Sequence, residues 1–285
     1  MSTTTTTTAG IDRDRNVPAT AMPLAATTIR ARRTGFGHDV ATMAGRALRA
    51  VPRDLEGVVP PVFIAIFFFV VNVATLSRLT EGTIGGFDYT AFQMPTAILL
   101  GVTGVSRAPA MVLDVQDGYL DRLLMTPMKR TAFLLGHLIA DVAVAACLTL
   151  PILGLGLIMG AGFETGVLGI VVFVAAAALW SLAFAGFGYA VALKTGNPAA
   201  VQSMFLLFFP FLFLTTSYVP REQLSGWLDT VATFNPVTYL LEGLRSLAID
   251  GWSIDVVWAL VAIAAVGALS MSMCMAALRG RVTAD

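Results

Sequence analysis

Apolar stretches separated by short polar breaks run through most of this chain. They read roughly as Gly57–Ser77, Thr90–Ala108, Thr131–Gly160, Val167–Leu193, Ala199–Ser217 and Ile254–Leu278. Pro95 lies inside the second, and Pro210 interrupts the fifth. Runs near 20 apolar residues match the roughly 30 Å hydrocarbon layer of a bilayer. Backbone groups left unpaired in lipid cost several kcal/mol each, and a helix pairs them internally. Each stretch is therefore predicted as a membrane helix, and no sustained β-barrel alternation competes with that assignment. Upstream, "GHDVATMAGRALRAVPRDL" places Val40, Met43, Ala44, Ala47, Leu48 and Val51 at helical spacing. With Arg46, Arg49 and Arg53 able to reach lipid headgroups, the segment predicts an interfacial helix along the inner leaflet; a solvated basic leader is the alternative.

Composition agrees with a membrane protein. The chain is 56% hydrophobic and 13% charged, with a mean hydropathy of +0.79, where soluble domains average about 25% charged residues. Net charge is zero, which gives no support to a nucleic-acid partner. Cys147 and Cys274 both lie in apolar runs and read as small hydrophobes, not as a disulfide or metal pair. The Thr-rich start lacks an apolar core followed by a cleavage site, so residues 1–37 are expected to be a disordered cytoplasmic tail, with 281–285 a short tail at the other end. Asp12 and Asp14 argue against an organelle transit peptide, and the excess of Arg over Lys hints at a GC-rich bacterial genome. An even number of spans puts both ends on one side. That side would hold fifteen of the eighteen Arg and Lys, leaving Arg78, Arg221 and Arg245 on the other. The positive-inside rule makes it the cytoplasm.

The breaks carry most of the information. "DVQDGYLDRLLMTPMKR" (114–130) faces the cytoplasm in this layout. As a helix at about 100° per residue, it puts Val115, Tyr119, Leu120, Leu123 and Leu124 on one side and Asp114, Asp117 and Asp121 on the other. Pro127 would stop it, and Lys129 and Arg130 would mark the membrane boundary. The pattern fits a docking surface for another protein, or equally the solvated face of a long loop.

The residues here resemble the cytoplasmic loop of the ABC transporter type 2 permeases. That family places an acid, a glycine, a Leu-Leu pair and Thr-Pro before a basic pair and a Leu-Gly. Here these are Asp117, Gly118, Leu123, Leu124, Thr126, Pro127, Lys129, Arg130, Leu135 and Gly136. The family often has glutamate where Asp117 stands and a basic residue where His137 stands. A second match lies between the last two spans, in Val219, Pro220, Trp227, Leu228, Asn235, Pro236 and Arg245, without the family's proline near Ser225. The resemblance covers residues 38–280, with the daunorubicin/doxorubicin-resistance permeases as the nearest group.

The resemblance implies an all-α membrane protein of six transmembrane helices, with an N-terminal interfacial helix, a cytoplasmic coupling helix and short extracellular re-entrant helices. It implies a permease subunit of an ATP-driven exporter in a bacterial plasma membrane, paired with an ABC ATPase and with a second permease copy or a sister permease. No cofactor is expected on this chain; ATP and Mg would be used by the partner. Consistent with this, Lys129 in "PMKRT" and Lys194 in "ALKTG" lack the preceding glycine of a phosphate-binding loop. Asp114, Gln116, Asp117, Gly118, Asp121 and Arg122 are the expected ATPase-docking residues. Polar groups within spans mark pathways or interhelical bonds. Asn72, Thr75, Gln93, Thr96, Gln202, Ser203, Thr215 and Thr216 are therefore candidates for the substrate path. Outside, Val237, Leu240, Leu241, Leu244 and Ala248 share one helical face, and Glu242 and Arg245 are spaced to pair. Trp227, Asn235, Pro236, Tyr239, Glu242 and Arg245 are read as parts of an extracellular lid. The absence of a charged cluster in the spans favours a hydrophobic drug, antibiotic or lipid-like substrate over a polysaccharide or glycolipid. Two other classes remain: a membrane-embedded enzyme using His137 and Asp141, spaced i,i+4, and a secondary transporter. With two histidines, no GxSxG motif and one acid well inside a span, neither class has a full set of parts.

Overall fold

The computed structural model describes residues 35–83, 87–119, 122, 125 and 130–282; side chains are not described for Leu55, residues 79–83, Arg130 and residues 280–282. Among these residues every regular element is helical. α1 is Phe36–Ala50, followed by a 3₁₀ turn at Val51–Arg53; α2 is Leu55–Thr83, α3 Tyr89–Thr103 and α4 Ala108–Gln116. α5 is Arg130–Ile158, α6 Gly166–Thr195, α7 Pro198–Phe213, α8 Trp227–Phe234, α9 Pro236–Ile249 and α10 Ile254–Val282. Residues 1–34 of the expected 1–37 tail lie outside the described residues, and Phe36 and Gly37 already belong to α1.

Local sequence accounts for several helix ends. Asp88 opens α3 by accepting the Ala91 N–H at 2.9 Å. Asn197 and Asn235 cap α7 and α9, each followed by a proline at the first helical position, where no N–H is needed. Gly196 ends α6 in the left-handed conformation, φ +59°.

Five helical stretches are long and apolar enough to cross a membrane: Glu56–Arg78, Tyr89–Gln116, Thr131–Ile158, Gly166–Thr195 and Ile254–Arg279. The fifth predicted span behaves differently. α7 has 16 residues, or about 24 Å of helix, and the chain beyond Phe213 leaves the helix instead of continuing to Ser217. The second span also differs from its prediction. It breaks at Gly104–Arg107, between α3 and α4, where the sequence suggested one uninterrupted run. "VSRAP" carries the signal: the Ser106 hydroxyl accepts the Ala108 N–H at 3.1 Å, and Pro109 sits in the first turn of α4.

α3 is the central helix, buried along its full length, and α2 lies at the edge with Phe63 and Phe67 exposed. Small residues let helices close on one another. An added Cβ on Gly186 would lie 2.5 Å from the Ser270 hydroxyl of α10, and one on Gly243 would lie 2.6 Å from the Asp255 carbonyl. Gly136 on α5 is more confined: its added Cβ would collide with the Met43 side chain and the Ala44 backbone of α1. The face of α1 that carries Val40, Met43, Ala44 and Ala47 is buried, as its spacing predicts, while Leu48 is left exposed.

Candidate functional site

At one end of the bundle a polar seam joins five helices. Asp141 of α5 is 1% exposed. Its carboxylate accepts the Arg107 backbone N–H at 2.7 Å, the Tyr189 hydroxyl of α6 at 2.7 Å and the Ser106 hydroxyl at 3.5 Å. It thus satisfies a backbone group freed by the break between α3 and α4, which an apolar environment would otherwise leave unpaired. The Arg107 guanidinium turns toward Asp54, just ahead of α2, at 2.8 Å. One turn before Asp141, His137 donates from Nδ1 to the Phe133 carbonyl at 3.0 Å, since a carbonyl only accepts. Its Nε2 lies 3.6 Å from Asp114. Asp114 also receives both terminal nitrogens of Arg46, each at 2.7 Å, and that guanidinium stacks over Tyr119 at 3.9 Å. Bidentate charge-assisted pairs of this kind are among the strongest polar contacts proteins make. His137 and Asp141 therefore do not pair with each other: one meets Asp114, the other Tyr189 and Arg107.

The expected docking residues sort differently from their sequence pattern. α4 stops at Gln116, and Gly118 adopts φ +68°, a conformation that costs an L-residue about 1–2 kcal/mol. The chain therefore turns where a continuous helix was expected. Asp114 does not share an exposed acidic face; its pairing with Arg46 and His137 draws it inward. Gln116 donates to the Gly196 carbonyl at the end of α6, 2.8 Å away. Asp117 and Arg122 are exposed, and Asp121 lies outside the described residues, with Leu120, Leu123, Leu124 and Pro127.

At the other end, Arg245 of α9 is buried. Its Nε donates to the Phe92 carbonyl at 2.9 Å, Nη1 to the Thr216 hydroxyl at 2.9 Å, and Nη2 to the Thr96 hydroxyl at 3.2 Å and the Ser217 carbonyl at 3.4 Å. The guanidinium carbon lies 3.6 Å from the Phe92 ring centre. The expected Glu242–Arg245 pair gives way to Glu242–Arg221 at 3.5 Å, because Arg245 points into the bundle. Asn235 ties the lid region down by donating to the Phe211 and Leu214 carbonyls at 2.6 and 3.0 Å. Tyr239 donates to the Thr233 carbonyl at 2.8 Å. The predicted apolar face of α9 is buried in full, whereas Trp227 and Phe234 of α8 are 70% and 83% exposed.

Of the candidate path residues, Asn72, Gln93 and Thr96 share one cleft with Ser217, and its volume of about 10 Å³ is room for roughly one water. Thr96 and Thr216 are joined through Arg245. Thr215 bonds the Leu212 carbonyl and the Ser217 hydroxyl. Thr75 and Ser203 are exposed and bond carbonyls of their own helices. Gln202 borders a separate small cleft beside Ser106. A larger cavity of about 320 Å³ is walled by Trp180, Phe184, Phe187, Phe208, Phe211 and other apolar side chains.

Residues 38–249 match the family model described as ABC-2 type transporter. The chain belongs to that family. Over 210 residues it is 25% identical to the "Probable doxorubicin resistance ABC transporter permease protein DrrC" of Mycobacterium tuberculosis, covering 72% of this chain and 75% of that one. It is 23% identical over 206 residues to the "Daunorubicin resistance ABC transporter permease protein DrrB1" of Streptomyces coeruleorubidus, covering 70% of each. It is also 23% identical over 175 residues to the "Probable multidrug ABC transporter permease YbhR" of Escherichia coli, covering 60% of this chain and 47% of that one. As an ABC-2 permease it is a multi-pass membrane transport subunit, in a family that implies a separate ABC ATPase and often a permease pair.

Several residues that build this permease's polar seam escaped sequence reading. Tyr189 looked like part of an apolar run, Asp54 like leader, and Arg107 like a boundary charge, although it is 4% exposed. Gly136 was noted as a family position without its physical reason, which is the close passage of α1.

Proposed function

We propose that the chain is the membrane subunit of an ATP-driven exporter that moves a hydrophobic drug, antibiotic or lipid-like molecule out of a bacterial cell. The observation that carries this reading is the family match across residues 38–249, and the printed names of the relatives set the substrate class. The aromatic cavity supports the same class: at about 320 Å³ it falls within the range of small-molecule pockets, and its lining is apolar. In this reading α7 and the residues after it make the sixth crossing. Both termini are cytoplasmic, α1 lies along the inner leaflet, and α8 presents Trp227 and Phe234 to the outer leaflet.

An ABC ATPase would dock around Gln116–Arg122, using exposed Asp117 and the turn at Gly118. ATP and Mg belong to that partner. Closure of the ATPase pair would move this turn as part of a two-state rigid-body change. Gln116 would carry the motion to the end of α6, and Asp114 would carry it to α1 and α5. The cleft among Asn72, Gln93, Thr96 and Ser217 would be a closed stretch of the path, with Arg245 holding α9 across its outer end.

The test is ATP-dependent efflux of a hydrophobic fluorescent dye from cells carrying the permease and its ATPase, at matched membrane abundance. Asp117→Lys and Gly118→Pro are expected to abolish efflux while leaving insertion intact, since proline cannot reach positive φ. Efflux at the unmodified rate in both variants would remove the docking role from this turn.

A further inference from the structure

A second polar cavity of about 390 Å³ lies beside the seam, bordered by α1, the 3₁₀ turn, α4 and α5. Its lining includes Arg46, Arg49, Arg53, Arg107, Asp114 and His137. We infer that this cavity binds the phosphate of an inner-leaflet anionic phospholipid, held by Arg49, Arg53 and Arg107.

Among the described residues, the charges that border this cavity do not balance. Arg46 is matched by Asp114, and the Nη1 of Arg107 is matched by Asp54. Among the described residues, no carboxylate stands within ion-pairing distance of Arg49 or Arg53; Arg49 bonds the Gly45 carbonyl through Nε alone. Independently, the Nε–H of Arg107 is buried without an acceptor, although Arg107 is among the most buried residues bordering this cavity. A buried donor without a partner costs more than an ordinary hydrogen bond gains, so such groups call for an explanation. A phosphate oxygen in the cavity would supply the acceptor and the missing negative charge together.

Depth points to a lipid as the source. Arg53 lies three residues before the apolar stretch that starts at Glu56, and His137 is under two turns into the stretch that starts at Thr131. The cavity is therefore level with the ends of membrane-crossing helices, where phospholipid phosphates lie. α1, which forms its wall, also exposes Phe36 and Leu48, as a helix resting against acyl chains would. The inference rests on the proposed orientation, with α1 along the inner leaflet, but not on the cargo, so a wrong substrate class would leave it standing.

The full chain, purified with its native partners in mild detergent, would be given vesicles of equal parts phosphatidylglycerol and phosphatidylcholine. Native mass spectrometry would then count the retained lipids. The expected result is one phosphatidylglycerol retained per chain in preference to phosphatidylcholine. Retention should fall about tenfold or more in R49Q/R53Q, through loss of two charge-assisted contacts, and persist in R49K/R53K. Both pairs of substitutions fall on exposed side chains, and an unchanged melting temperature would confirm that the fold is intact. Equal retention by the unmodified chain and R49Q/R53Q would overturn the proposal, as would equal retention of the two lipids. Displacement of the lipid by millimolar inorganic phosphate would assign the site to a soluble anion instead. Loss of a co-purifying ATPase from R49Q/R53Q with lipid retention intact would assign the arginines to protein docking.

Discussion

Asp141 shows how far a single residue can be read from sequence. An acid well inside an apolar run announces a partner, because an unpaired charge there is costly. Its i,i+4 neighbour His137 shares its helix face but not its contacts, since spacing along one helix says nothing of what another helix brings. The partners come from α6 and from the break after α3. Asp141→Ala would leave the Arg107 N–H and the Tyr189 hydroxyl unpaired, each at about 1–3 kcal/mol. Tyr189→Phe removes a donor and leaves the carboxylate its amide, so it should cost only about 1 kcal/mol. Chemical denaturation or thermal melting in detergent distinguishes the two, and equal losses would mean that Asp141 does not organise the seam. Glu242 offers a pH test. Burial lifts its carboxyl above the ordinary range; Arg221 opposes this, Asp255 adds to it, Arg245 opposes it and Glu222 adds to it. A raised value means that the folded chain holds the proton more tightly than the unfolded one. Stability from this group is therefore fully present below the unfolded value and falls as pH rises toward the folded value. Glu242→Gln should flatten the melting temperature across that window, and an unchanged slope would place the titration elsewhere.

Helices were the most legible level, and their interruptions the least. Long apolar runs marked α2, α5, α6 and α10, and the spacing of Val237, Leu240, Leu241, Leu244 and Ala248 marked α9, because run length and periodicity are local properties. The break between α3 and α4 has a local signal in Ser106 and Pro109, but the group that pairs its freed amide is Asp141, some 34 residues further on, which no local pattern reports. The helix predicted over 114–124 is interrupted for a related reason. Its acids fall on one face only if the helix continues, and Gly118 turns the chain. Gly118→Ala should cost about 1–2 kcal/mol of local strain and lower efflux more than melting temperature, because the turn sits outside the core. Gly136 makes the complementary prediction. A methyl group there would push α1 from α5, and overpacking of this kind typically costs about 1–3 kcal/mol. Gly136→Ala should expose α1 to protease in inverted vesicles well before the rest of the chain is cut. Unchanged cleavage would show that α1 has another anchor.

At the scale of the whole molecule, charge marks the two ends of one bundle in different ways. One end is held by matched pairs, Arg46 with Asp114 and Arg107 with Asp54, which reach α1, α4 and the start of α2. The opposite end is held by Arg245, whose hydrogen bonds go to carbonyls and hydroxyls on α3 and residues 216–217. α3 takes part at both ends, since Arg107 follows it and Phe92 and Thr96 belong to it, so a shift of α3 must disturb one set of contacts or the other. A buried cation is weak evidence for stability, because its desolvation offsets what its hydrogen bonds return. Arg245→Met should therefore keep or raise the melting temperature, with Thr96 and Thr216 free to bond carbonyls of their own segments. If Arg245 serves to close the outer end, the same variant should lose ATP-coupled efflux and leak dye without ATP. A fall in melting temperature with efflux per folded chain unchanged would instead make Arg245 a structural strut, and the closing role would pass to the Asn235 contacts that hold α9 to the end of α7.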